Sequence, residues 1–110
     1  ARNGDVSLAM STLNTLLKNR FARQSFIELE ATDERHALHL ILEHRRKELA
    51  FRGGIRWFDL KRLNDDPDFA VTLYRNVDSK VFTLPPNDER YVFLIPYEVF
   101  QANGLEQNSR

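Results

Sequence analysis

The stretch Ala37-Leu38-His39-Leu40-Ile41-Leu42-Glu43-His44-Arg45-Arg46-Lys47-Glu48-Leu49-Ala50-Phe51-Arg52-Gly53-Gly54-Ile55-Arg56-Trp57-Phe58-Asp59-Leu60-Lys61-Arg62-Leu63 decides how this chain folds. Its first half sets Ala37, Leu38, Ile41, Leu42 and Leu49 on one stripe at helical spacing. Thr32 or Asp33 can cap that helix through a side-chain oxygen, and Asp33 and Glu34 meet the positive end of its dipole. Gly53 and Gly54 together can take backbone angles that other residues avoid, so they are expected to end the helix and turn the chain. Helical spacing then resumes. Trp57, Leu60 and Leu63 share one side, with Ile55 and Phe58 beside them, until Asn64-Asp65-Asp66-Pro67 closes the run. The stretch therefore predicts two helices, residues 33–52 and 55–63.

Upstream, residues 5–20 carry Val6, Ala9, Met10, Leu13, Leu16 and Leu17 on one stripe, with Asp5 placed as the N-cap. In the patternless stretch 21–31, Phe26, Ile27 and Leu29 are expected to tuck a connecting loop onto the core. Downstream, residues 71–84 read as a hairpin: strands 71–77 and 81–84 about the turn Asp78-Ser79, with Leu73 opposite Leu84 and Phe82 on their side. Pro85-Pro86-Asn87-Asp88 must be irregular. Residues 91–95 suit a buried strand or extended segment. Residues 96–100 form a helical turn ended by Asn103-Gly104, and a polar tail follows. The fold class is mainly α with a small β-hairpin, residues 1–110 being read as a single unit with an extended C-terminal segment.

Composition sets the bounds. A chain of 110 residues, 42% hydrophobic and 29% charged, has the make-up of one ordinary domain with a modest core. Sixteen Lys and Arg balance sixteen Asp and Glu, so no global field draws in nucleic acid or an anionic surface. Without cysteine there are no disulfides and no thiolate metal sites. No apolar run approaches the roughly 20 residues that span a bilayer. The start at Ala1-Arg2, without Met or a signal peptide, is the start expected of a processed, tagged or truncated product.

Charges alternate with large apolar groups through the central stretch. Arg45 and Glu48 stand one helical turn apart, and Asp59 lies three residues from both Arg56 and Arg62. One reading makes Glu48 and Asp59 the paired carboxylates of a glycoside hydrolase. A general acid must hold its proton, however, and a neighbourhood rich in guanidinium favours its loss. The reading preferred here is a structural ion-pair motif of Arg45, Glu48, Arg56, Asp59 and Arg62 that fastens the two helices. If the Glu48 pair is buried, Glu48→Ala costs roughly 3–5 kcal/mol. His36, His39 and Glu43 share a helical face, but without a donor from a second segment they read as solvated polar residues and not as a metal site. Trp57, the only tryptophan, fits the core, while Trp57, Tyr74 and Tyr97 are the candidates for stacking on a sugar, Tyr91 being a further tyrosine of that kind. No phosphate-binding glycine loop, nucleophile elbow or cysteine nucleophile is present, and no cofactor is implied.

The order of Ile41-Leu42-Glu43-His44-Arg45-Arg46-Lys47-Glu48-Leu49-Ala50-Phe51, Arg56-Trp57-Phe58-Asp59-Leu60-Lys61-Arg62, Pro85-Pro86-Asn87-Asp88-Glu89-Arg90-Tyr91, Ile95-Pro96 and Asn103-Gly104-Leu105-Glu106-Gln107-Asn108 resembles the C-terminal end of SusD/RagB family proteins. The family commonly has Phe-Glu-Gly-x-Arg-Trp. Here Phe51-Arg52-Gly53-Gly54-Ile55-Arg56-Trp57 replaces Glu by Arg and is one residue longer. The resemblance implies the C-terminal part of a tetratricopeptide-like helical fold, from a non-enzymatic glycan-binding protein of Bacteroidetes-type bacteria. It implies an outer-membrane, cell-surface location through an N-terminal lipid anchor outside this segment. The implied partners are an oligosaccharide and a SusC-like TonB-dependent transporter, both reached through the parent protein, and the N-terminal part of that protein. The alternative is a protein–protein module in which the amphipathic helices form a groove for a peptide or the transporter.

Overall fold

The computed structural model describes residues 1–22 and 24–109. Its elements are α1 (Val6–Lys18), α2 (Glu34–Glu48), α3 (Ile55–Leu63), β1 (Leu73–Val77), β2 (Lys80–Leu84), a 3₁₀ turn (Glu89–Tyr91) and α4 (Tyr97–Asn103). The chain is thus mainly helical with one two-stranded antiparallel sheet. Where the sequence reads as one unit, the structure divides into two compact ones, Ala1–Arg52 and Gly53–Arg110.

In the first unit α1 begins where the Asp5 side chain accepts the Leu8 N–H at 2.8 Å. Asp33 caps α2 in the same way, accepting the His36 N–H at 2.8 Å. That bond is the chief cause holding the Asp33 carboxyl below its ordinary value. Met10, Leu13, Leu17 and Ala37 form the core, with Val6, Phe26, Leu29, Ala31, Leu40 and Ile41 packed on it. The two helices lie with like ends together. A Cβ built on Gly4, just before α1, comes within 3.2 Å of Glu34 at the start of α2. At the far end Arg20, just past α1, bonds Glu48, the last residue of α2. The connection therefore returns the full length of the pair. It is held midway by buried Asn14, whose amide accepts the Leu29 N–H at 3.0 Å and donates to the Leu29 carbonyl at 2.9 Å.

Two expectations for this unit are corrected. Ile27 does not tuck onto the core but is 80% exposed, because the extended connection turns only Phe26, Leu29 and Ala31 inward. α2 stops at Glu48 instead of reaching residue 52. The turn is made ahead of the glycines: the Ala50 and Arg52 N–H groups bond the carbonyls three residues back, and Phe51 takes the left-handed conformation at φ 60°.

In the second unit Gly54, at φ 73°, is the N-cap of α3, so the glycine pair starts this helix and does not end the one before it. Leu60 and Leu63 are buried and Trp57 half-buried, as the stripe predicts, but Phe58 faces solvent. The hairpin has the expected pairing of Leu73 with Leu84, and its two-residue turn has Asp78 at φ 47° and Ser79 at φ 66°. Positive φ at both positions matches the turn to the twist of the strands. The strands are 73–77 and 80–84, so the first starts two residues later than expected and the second one residue earlier. Residues 91–95 are extended only in part and not buried as a run. Tyr91 closes the 3₁₀ turn and is buried, while Val92, Phe93 and Leu94 are exposed. α4 ends at Gly104, in the left-handed conformation at φ 56°.

Candidate functional site

The stretches that carry the resemblance fall into both units. Those of the second unit converge. Trp57 of α3 meets the ring of Tyr91 at 4.9 Å with a 32° tilt, and stacks on Phe93 at 5.1 Å and 19°. Tyr91 is buried and its hydroxyl has no hydrogen-bond partner among the described residues, whereas Phe93 is 64% exposed. The result is an aromatic step: a buried Tyr91, a half-buried Trp57 and an outward Phe93.

Side chains from these motifs, with Asn64 and Asp65 just past α3, fix the backbone around that step. Asn87, at φ 59°, donates through Nδ2 to Asp65 Oδ1 at 3.1 Å. Buried Asn64, oriented so that its Nδ2 donates to the Leu60 carbonyl at 3.0 Å, accepts the Asn87 N–H at 3.2 Å. The proline-rich loop is thereby tied to the end of α3. Arg90 donates from Nε to Asp88 Oδ1 at 2.7 Å, and from Nη2 to Asp88 Oδ2 at 2.8 Å and the Thr83 carbonyl at 2.9 Å. The Arg90 side-chain bonds, followed by its backbone N–H, push the Asp88 carboxyl down to about 2. At the C-terminus the Gln107 amide accepts the Ile95 N–H at 2.8 Å and donates to the Ile95 carbonyl at 3.0 Å, and Asn108 donates to the Phe93 carbonyl at 2.7 Å. Gln107 does for Ile95 what Asn14 does for Leu29: a side-chain amide replaces a neighbouring strand.

The five residues of the ion-pair motif lie on two helices in different units. Asp59 is buried and accepts Arg62 Nη2 at 3.0 Å, the pairing its spacing predicts. Glu48 receives Arg20 through both oxygens, at 3.0 and 2.5 Å. Sequence reasoning missed Arg20, because 28 residues separate the partners and no periodicity links them. The side chains of Arg20 and Glu48 are 57% and 28% exposed, so this pair is not the buried one that a loss of 3–5 kcal/mol presupposes. Arg45 lines a cavity in the first unit, described below, and Arg56 stands in the first turn of α3.

Of the sugar-stacking candidates, Tyr74 on β1 and Tyr97 on α4 are 72% and 65% exposed, and neither joins the ring contacts of Trp57. The Tyr97 hydroxyl accepts a hydrogen bond from Gln101. Phe93, the ring that does stack on Trp57, lay unmarked within an apolar run. Among the described residues no group of three His, Asp or Glu is placed to hold a metal. His36 Nδ1 accepts the Thr32 N–H at 3.2 Å, and Glu43 bonds Lys47 at 2.5 Å, which lowers its carboxyl through that bond first.

In the first unit α1 and α2 leave an open cavity of about 800 Å³ between them. Leu8, Ala9, Leu13, Leu16, Ile41 and Leu49 make its apolar wall, while Arg2, Asp5, Arg45 and Glu48 supply charge. No helix among the described residues is long and apolar enough to cross a membrane. No family model matches the chain, and neither a curated protein nor a solved structure matches it.

Proposed function

We propose that the chain is the C-terminal scaffold segment of a SusD/RagB-like glycan-binding lipoprotein of the outer-membrane surface, and that it is not an enzyme. In this reading the parent protein captures oligosaccharides and passes them to a SusC-like TonB-dependent transporter. Arg45, Glu48, Arg56, Asp59 and Arg62 act in folding and not in chemistry. The family name rests on the ordered motifs. The scaffold role is supported by one physical observation, the amount of surface left uncovered.

A folded protein of half this chain's mass of 12.9 kDa exposes about 3,800 Å², so two such units held fully apart expose about 7,600 Å². The accessible surface here is 8797 Å². Each unit taken by itself thus leaves more surface open than a compact protein of its size, large apolar side chains such as Phe51, Phe58, Phe93 and Ile27 included. Surface of this kind calls for more protein to cover it. The experiment is retardation in polysaccharide-containing gels, with the parent protein and this segment run side by side. The parent is expected to be retarded and the segment not; equal retardation of the segment alone overturns the scaffold reading.

The apolar cavity between α1 and α2 favours a second reading, a protein–protein module that docks a peptide or the transporter. Binding of the segment to an extracellular loop of the transporter, without binding to any glycan, would select it.

A further inference from the structure

The hairpin is little supported by the rest of the second unit. Only Leu73 and Leu84 at its base are half-buried, and Tyr74, Val77, Val81 and Phe82 are exposed. Two strands alone are marginally stable in water, and a free strand edge is a template for another strand. Its two edges differ. A two-residue turn makes Val77 and Lys80 a hydrogen-bonded pair, so alternation directs the N–H and C=O groups of Val81 and Thr83 outward on β2, and those of Tyr74 and Asn76 outward on β1.

The β2 edge is guarded. Its Thr83 carbonyl is occupied by Arg90, which is locked in place by both oxygens of Asp88. A strand approaching there must displace a bidentate ion pair. The β1 edge carries no such guard: among the described residues, neither Tyr74 nor Asn76 forms a hydrogen bond outside the hairpin. On the face of β1 that holds Arg75, Lys80 of β2 adds a second cation, and neither forms an ion pair among the described residues.

We propose that the outer edge of β1 docks an extended, acidic segment of a partner protein, which adds as a third strand with a carboxylate opposite Arg75. The backbone groups of Tyr74 and Asn76 supply the register, and Arg75 with Lys80 selects the charge. A second copy of the chain is a poor occupant. Two β1 strands in their fullest antiparallel overlap set Arg75 directly against Arg75, and like charges so placed repel.

The test uses the whole chain and a capped peptide, Val-Thr-Glu-Thr-Val, with a Lys-centred version as control. Amide hydrogen exchange is followed by NMR. The Glu-centred peptide is expected to slow exchange at Tyr74 and Asn76 and not at Val81 and Thr83, and to bind roughly two- to five-fold tighter than the Lys-centred one. Arg75→Glu should reverse that preference and Arg75→Gln should reduce it to the share that Lys80 supplies, each with an unchanged circular dichroism spectrum. Absence of protection at Tyr74 and Asn76 with saturating peptide overturns the proposal. So does protection at Val81 and Thr83, or equal binding of the two peptides. Protection that grows with protein concentration and needs no peptide assigns the edge to a second copy instead.

Discussion

Replacing Asn14 by Ala is predicted to be among the most damaging single substitutions in the first unit, although it removes no apolar contact of any size. Asn14 is 7% exposed, and its amide meets both backbone groups of Leu29, at 2.9 and 3.0 Å. The alanine variant leaves one N–H and one C=O in a partly buried place without their partner. Each such group costs about 1–3 kcal/mol when it stays dry, and less when water reaches it. The sum expected is about 2–4 kcal/mol. Asn14→Leu, which fills the space, should lose as much, because the loss lies in Leu29 and not in packing. Asn14→Asp keeps the acceptor for the N–H but sets an oxygen against the Leu29 carbonyl, so it should recover only part. Urea unfolding gives the free energies, and exchange of the Leu29 amide reports the local opening. A loss under about 0.5 kcal/mol for Asn14→Ala, or full stability in Asn14→Leu, refutes the idea that this amide holds the connection.

The other predictions follow from the same reading. A double-mutant cycle on Arg20 and Glu48 should give a coupling of about 0.5–1 kcal/mol that shrinks with added salt, since both side chains are solvated; a coupling above about 3 kcal/mol would mean burial after all. Gln107→Leu should free the Ile95 N–H and C=O and speed exchange of that amide, with a stability loss of about 1–3 kcal/mol in thermal unfolding. Asp88 has its carboxyl depressed by Arg90, so its contribution is fully present above the ordinary carboxyl range and is lost as pH falls toward about 2. NMR titration should therefore show the Asp88 carboxyl titrating near 2 in the wild-type chain, and near the ordinary value in Arg90→Ala.

Sequence made some of this legible and not the rest, for identifiable reasons. The starts of α1 and α2 were readable because Asp5 and Asp33 are followed three residues later by the N–H they cap. The hairpin register was readable because one turn dipeptide and the apolar alternation agree on it. The end of α2 was not. A Gly-Gly pair looks like a stop signal, yet the left-handed position is taken by Phe51, and Gly54 begins the next helix. The exposure of Val92, Phe93 and Leu94 was hidden too, since an apolar run shows what wants burial and not whether anything covers it. At the candidate site, the pairing of Asp59 with Arg62 follows from helical spacing, whereas Arg20, Asn14 and Gln107 act across 28, 15 and 12 residues, distances at which no local pattern reports.

The like-ended placement of α1 and α2 bears on how the first unit comes together. A helix hairpin can zip from its turn, each new contact lying close in sequence to the last. Here no such start exists. The contacts at Asn14–Leu29 and Arg20–Glu48 each close a long loop, so chain entropy is lost before either helix gains the other's face. α2 docks on α1 directly, Ala37 lying in one buried cluster with Met10, Leu13 and Leu17, so the face the helices share is gained only with these long loops closed. Asn14, which fastens the connection, closes the shorter of the two loops, 15 residues against 28 for Arg20 and Glu48.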